Sequence, residues 1–100
     1  MKKPKPSTVR RKALKEWSKS VRDRDSNTCQ VCGAVDNTQA HHIFEKRYYK
    51  ELMYDINVGI TLCPTCHIFG KYSFHKNPLW SVEWLKINKA EVYKWCKERL

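Results

Sequence analysis

No apolar run in this sequence approaches the roughly 20 residues needed to span a bilayer, and nothing near its N-terminus resembles an apolar secretory segment. Membrane and secretory readings are therefore set aside, and the expected setting is the cytoplasm, where thiols stay reduced. Internal repeats are absent, which removes solenoids and arrays. No separate specificity domain is expected within these one hundred residues. A single domain of this size buries a thin core, so an added staple is expected. Acidic residues are scarce as well, 10 against 20 Lys and Arg, for a formal charge of +10. Such a surplus attracts polyanions by releasing their condensed counterions, and makes nucleic acid the expected partner.

The charge is concentrated at one end. Residues 1–24 hold ten basic residues against Glu16 and Asp23, while the other 76 carry a net +2. Residues 1–8, rich in Lys and Pro, are expected to form a disordered basic arm. Ser7 or Thr8 can cap a helix running from Val9 to about Arg24. On it Val9, Ala13, Leu14, Trp17 and Val21 form one stripe, with Lys and Arg opposite. Lys2, Lys3, Lys5, Arg10, Arg11 and Lys12 are expected to contact phosphates; the plain alternative is a solvated tail.

Five cysteines supply the staple. Cys29-x2-Cys32 and Cys63-x2-Cys66 each place two thiolates on one side of a tight turn, half of a tetrahedral zinc shell. The alternative, two disulfides, conflicts with a reducing compartment. Cys96 has no partner spacing and reads as a buried, unreactive thiol. Between the pairs lie thirty residues. Gln39–Phe44 reads as a strand carrying His41 and His42 on opposite faces, 45–55 as a loop or a short helical turn, and Asn57–Leu62 as a turn and second strand. Pro64 opens a helix that Gly70 ends or bends. Asn77-Pro78 starts a helix to about Ile87, supported by Leu79, Val82, Trp84 and Leu85. Asn88 and Glu91 suggest a capping box opening a last helix. Trp80, Trp84, Tyr93 and Trp95 are expected in the core.

All four histidines fall between the first cysteine pair and Pro78. The order Cys-x2-Cys, Ala40-His41-His42-Ile43, Asn57-Val-Gly-Ile-Thr-Leu, Cys63-Pro-Thr-Cys66-His67 resembles the zinc-stapled HNH endonucleases across residues 17–77. The double histidine is similar to phage-encoded members. That resemblance implies an α+β chain: a ββα-metal core with a four-cysteine zinc site (about 25–77), preceded by the basic helix and followed by two C-terminal helices (about 78–100), all within one domain, 9–100. It implies His41 and His67 as ligands of a catalytic ion, His42 as general base, and Asn57 as the brace of the loop behind His42. Where some relatives carry a further histidine this chain has Lys71; His75 is a third ligand if the helix bends at Gly70, and otherwise a phosphate contact or a surface imidazole.

The chemistry agrees with these residue types. Phosphodiester hydrolysis needs a deprotonated water, neutralisation of the extra charge at phosphorus and help for the departing oxygen. A neutral imidazole suits the first task and an openly coordinated Mg²⁺, Mn²⁺, Ni²⁺ or Zn²⁺ the others. Lys46, Arg47, Lys71 and Lys76 are candidate phosphate contacts. The expected substrate is double-stranded or branched DNA, nicked or cut with low sequence preference, any selectivity coming from DNA shape or a protein partner. The competing reading is a non-catalytic, zinc-stabilised nucleic-acid-binding module.

Overall fold

The computed structural model describes residues 5–100, so Lys2 and Lys3 lie outside the described residues. The first helix, α1, runs Pro6–Arg24. It starts earlier than expected: Pro6 presets the helical φ in the first turn, Lys5 is the N-cap without a side-chain bond, and Ser7 and Thr8 lie inside the helix. Residues 6–8 are therefore ordered helix rather than arm. The helix ends as its polar tail predicts. Asp25 N–H bonds back to the Val21 carbonyl and Ser26 N–H to that of Asp23, and Ser26 and Asn27 take left-handed φ of 55° and 53°.

The first cysteine pair then forms a knuckle. Cys29 N–H donates to Ala34 at 2.8 Å and Gly33 N–H to Cys29 at 2.9 Å, with Gly33 at φ 83°, a conformation glycine adopts without strain. Strand β1 is Gln39–His42 and β2 is Gly59–Leu62, paired antiparallel with His41 opposite Ile60 and His42 opposite Gly59. Both are shorter than expected. Chain between them forms two 3₁₀ turns, Lys50–Leu52 and Ile56–Val58.

Every residue of β2 is buried, because both of its faces are covered. Trp17, Val21 and Val58 pack on one side, with Ala40, Phe44, Leu52 and Trp95 around them. Cys29, Ile60, Leu62, Cys63, Cys66, Phe74 and Leu85 form the other cluster, flanked by Trp80 and Trp84. Gly59 is where α1 presses closest: a Cβ there would lie 2.8 Å from the Trp17 indole. Trp17 is thus the one fully buried tryptophan, while Trp80, Trp84, Tyr93 and Trp95 are half-buried at the core margin.

After β2 comes one π-type turn, Thr65–Phe69, then α2 (Pro78–Asn88) and α3 (Ala90–Lys97). Asn77 caps α2 by accepting from Trp80 N–H, as expected. The Asn88–Glu91 capping box does not form. Asn88 is the last residue of α2, its amide bonded to the Trp84 carbonyl, and α3 follows Lys89 without a side-chain cap. Cys96 is buried, which pushes its thiol pKa up. The chain is a small α+β fold, and among the described residues no helix is long and apolar enough to cross a membrane.

Candidate metal centres and cleft

The two knuckles bring Cys29, Cys32, Cys63 and Cys66 together with all four sulfurs within 4.8 Å of one another. All are free thiols, and Cys32 and Cys63 Sγ are 3.6 Å apart. A tetrahedral zinc shell with Zn–S near 2.3 Å has sulfurs about 3.8 Å apart, so the set fits such an ion. Burial opposes ionisation of Cys29, but backbone N–H groups of Cys32, Cys63 and Val31 turn toward its sulfur and draw its pKa down to about 7. Cys66 N–H likewise approaches Cys63 Sγ at 3.4 Å. Burial and the neighbouring sulfurs push the Cys66 thiol up, a cost that a bound cation removes. These four residues are positioned to hold a structural metal such as zinc.

A second cluster joins His41, His67 and His75, one ring nitrogen of each within 4.8 Å of the others. His41 comes from β1 and His67 from the π-type turn, a local winding often found at functional sites. His75 arrives by a route the spacing left open. The turn stops at Gly70, whose N–H donates to Thr65 at 2.8 Å; Phe74 and His75 N–H groups then bond back to Cys66 and His67 carbonyls at 2.9 and 3.0 Å. A Cβ on Gly70 would stand 2.8 Å from the Thr65 carbonyl oxygen, so the return needs glycine. The result is His75 set beside His67 with the ring planes tilted by 55° and the Nε2 atoms 3.1 Å apart.

Two ring nitrogens at that distance suit two donors to one ion, since metal–nitrogen bonds near 2.1 Å separate neighbouring ligands by about 3.0 to 3.4 Å. Gln39, two residues before His41 and so on the same strand face, has its Oε1 2.7 Å from His67 Nδ1. With Nδ1 donating, Nε2 keeps the lone pair that a metal requires. Burial, then the neighbouring imidazoles, lower the His41 pKa to about 3; burial and His75 lower that of His67 to about 4. Both are neutral donors at neutral pH.

His42 points away from this cluster. Its ring is stacked on Trp17, and its Nε2 lies 2.9 Å from the Met53 carbonyl oxygen, which can only accept. Nε2 therefore carries the proton and Nδ1 is a free acceptor. Burial and nearby Lys46 lower its pKa, outweighing the bond to Met53, which raises it. His42 and the three clustered histidines line one open cleft of about 470 Å³, with Arg10, Lys46 and Arg47 also on its walls. Glu45, which sequence reasoning did not single out, is the cleft's carboxylate and is tied to Arg47 Nε at 3.2 Å.

Other candidates are placed differently. Asn57 does not line this cleft; its amide N–H caps onto Asp55, and its side chain is exposed at a separate hollow beside Arg24 and Glu91. The loop behind His42 is instead held by Trp17 Nε1, which donates to the Asp55 carbonyl at 2.8 Å. Lys71 and Lys76 also stay outside the cleft: Lys76 Nζ donates to Phe69 and Lys71 lies over the Tyr72 ring. Arg11 and Lys12 are exposed on α1, and Lys5 is exposed at its N-cap. Comparisons of the chain with protein-family models, with curated proteins and with solved structures find no match.

Proposed function

We propose that the chain is a divalent-metal-dependent DNA endonuclease of the HNH, ββα-metal type, hydrolysing phosphodiester bonds with little intrinsic sequence preference. One observation carries this reading: three imidazoles converge on a cleft wall while a fourth, His42, lines the same cleft outside their cluster with its tautomer fixed. A binding module has no need of that division. The strand pair supports the ββα arrangement, its helix reduced to the Thr65–Phe69 turn.

His41, His67 and His75 would hold the ion and leave coordination positions for substrate oxygens. Such an ion supplies charge neutralisation at the phosphoryl group and stabilises the departing oxygen. With nitrogen donors and no carboxylate in the cluster, Mn²⁺, Ni²⁺ and Zn²⁺ suit it better than Mg²⁺. His42 takes a proton from the attacking water at Nδ1, since Nε2–H is committed to Met53. Trp17 keeps the ring in plane, and Lys46 and Arg47 hold phosphate oxygens at the rim.

The test is plasmid incubated with mildly chelated protein, after which Mg²⁺, Mn²⁺, Ni²⁺ or Zn²⁺ is restored singly. Nicked or linear product is expected with at least one ion. Bound but intact plasmid under every ion would make the chain a zinc-stabilised binding module instead.

A further inference from the structure

Arg10, Trp17 and Arg24 are spaced by sevens along α1. Seven residues fall about 20° short of two full helical turns, so the three side chains share a face. Two of them are in use within the protein. Arg24 donates to the carbonyls of Ile56 at 2.8 Å and Gly59 at 2.7 Å and pairs with Asp25. Trp17 lies under His42. Arg10, roughly 10 Å further along the axis, continues the packing face rather than the solvent face, yet it is exposed and makes no ion pair among the described residues. Its side chain lines the cleft of the histidines.

The helix's other cations differ in direction. Arg11, Lys12 and Lys15 project between about 120° and 160° away from the Trp17 direction. A single count of basic residues merges these two groups; the helical phase separates them.

We propose that Arg10 is a phosphate clamp, holding a backbone phosphate of the polynucleotide strand whose scissile bond lies at the histidine cluster. Lys46 and Arg47 reach the same cleft from the loop after β1, so a strand lying in it has cations on α1 and on that loop. A guanidinium suits this place: it is charged at every working pH, and its fork matches two phosphate oxygens at once. The first helix is then part of the substrate site as well as an electrostatic tether. This inference rests on the nuclease reading for the identity of the strand, and its test measures binding without cutting.

The measurement is fluorescence anisotropy of a labelled 16-base-pair duplex with the full chain, zinc retained at the cysteines and no divalent ion added, over a series of salt concentrations. Arg10→Ala is expected to weaken binding at least tenfold and to reduce the salt slope by about one. Lys15→Ala, which removes the same charge from the opposite face, is expected to weaken it threefold at most. Arg10→Lys should recover only part of the loss, because an ammonium lacks the fork. Equal effects of Arg10→Ala and Lys15→Ala would overturn the clamp while leaving nucleic-acid binding intact. A wild-type chain that does not bind the duplex would overturn both. Wild-type affinity and salt slope in Arg10→Ala would refute the clamp alone.

Discussion

The indole of Trp17 lies almost parallel to the imidazole of His42, ring centroids 3.7 Å apart and planes 13° from coplanar. Its Nε1 also holds the Asp55 carbonyl, two residues beyond the Met53 carbonyl that receives His42 Nε2. One side chain therefore fixes both the ring and the loop that sets its tautomer. Trp17→Phe keeps the stack but loses the bond to Asp55, and is expected to lower kcat less than Trp17→Leu does. Trp17→Leu should lower kcat on the order of 10- to 100-fold, the cost of a misplaced catalytic group, with KM less affected. Histidine ¹⁵N spectra of the zinc-loaded protein check the cause: a pure Nε2–H tautomer for His42 in wild type and a mixture in Trp17→Leu. An unchanged tautomer in Trp17→Leu would reduce Trp17 to packing.

On the proposed mechanism His42 is the general base, and removing it is a sharper change. His42→Ala should lower plasmid cutting at least 100-fold, in line with the contribution of a positioned general base, while zinc content and helix signal stay at wild-type values. Loss of zinc in that variant would make His42 structural.

Gln39 tests the histidine cluster without removing a ligand. Its contact with His67 Nδ1 would leave Nε2 for the proposed ion, and partners of this kind typically change metal affinity 10- to 100-fold. Gln39→Ala should weaken Mn²⁺ or Ni²⁺ binding by that factor in calorimetric titration, with the cysteine-bound zinc untouched. Equal affinities would show that Gln39 is only a surface neighbour.

How far the sequence reading reached depended on whether a feature is local. The cysteine pairs were legible because a knuckle is set by four consecutive residues. The opposed directions of His41 and His42 follow from strand alternation. His75 could be named only as one alternative, because its return depends on Gly70 passing close to Thr65 and on two backbone bonds spanning the loop. Asn57 rests on motif order alone, and that order carries no sign that α1 packs so that Trp17 Nε1 reaches the Asp55 carbonyl. Arg10 was grouped with the solvent face because the apolar stripe was read only through apolar residues. The Asn88 cap was lost to the preceding helix, which simply ran one residue longer than Ile87.

Metal supply should decide whether the fold forms at all. Cys29 and Cys63 both belong to the buried cluster that includes Leu62 and Phe74, so a metal held by them would lie against the core. Cys29→Ser or Cys63→Ser is expected to abolish cooperative thermal unfolding and to lower bound zinc from one per chain to a small fraction, because structural zinc contributes folding free energy directly. A cooperative melt in either variant would show that the hydrophobic clusters suffice.

Asp25 offers a pH test in which two opposing effects can be separated. Burial raises its pKa, but bonds from the Arg24 guanidinium and the Thr61 N–H, with the Arg24 charge, outweigh it and hold the carboxyl below its ordinary 3.8. The bond to Thr61 N–H, 3.0 Å long, also ties the end of α1 to β2. A depressed folded-state pKa means that the unfolded chain binds its proton first as pH falls, so the stabilisation is complete above 3.8 and is lost only below it. Asp25→Asn replaces one acceptor oxygen with a donor facing Arg24 or Thr61, and should cost roughly 1 to 3 kcal/mol. That difference from wild type, measured by urea midpoints, should stay constant between pH 8 and pH 5. Both proteins carry the same cysteines and histidines, so titration of those groups cancels in the difference. If wild type instead gained on the variant as pH fell from 8 to 5, burial would be the stronger influence and the Asp25 pKa would be raised.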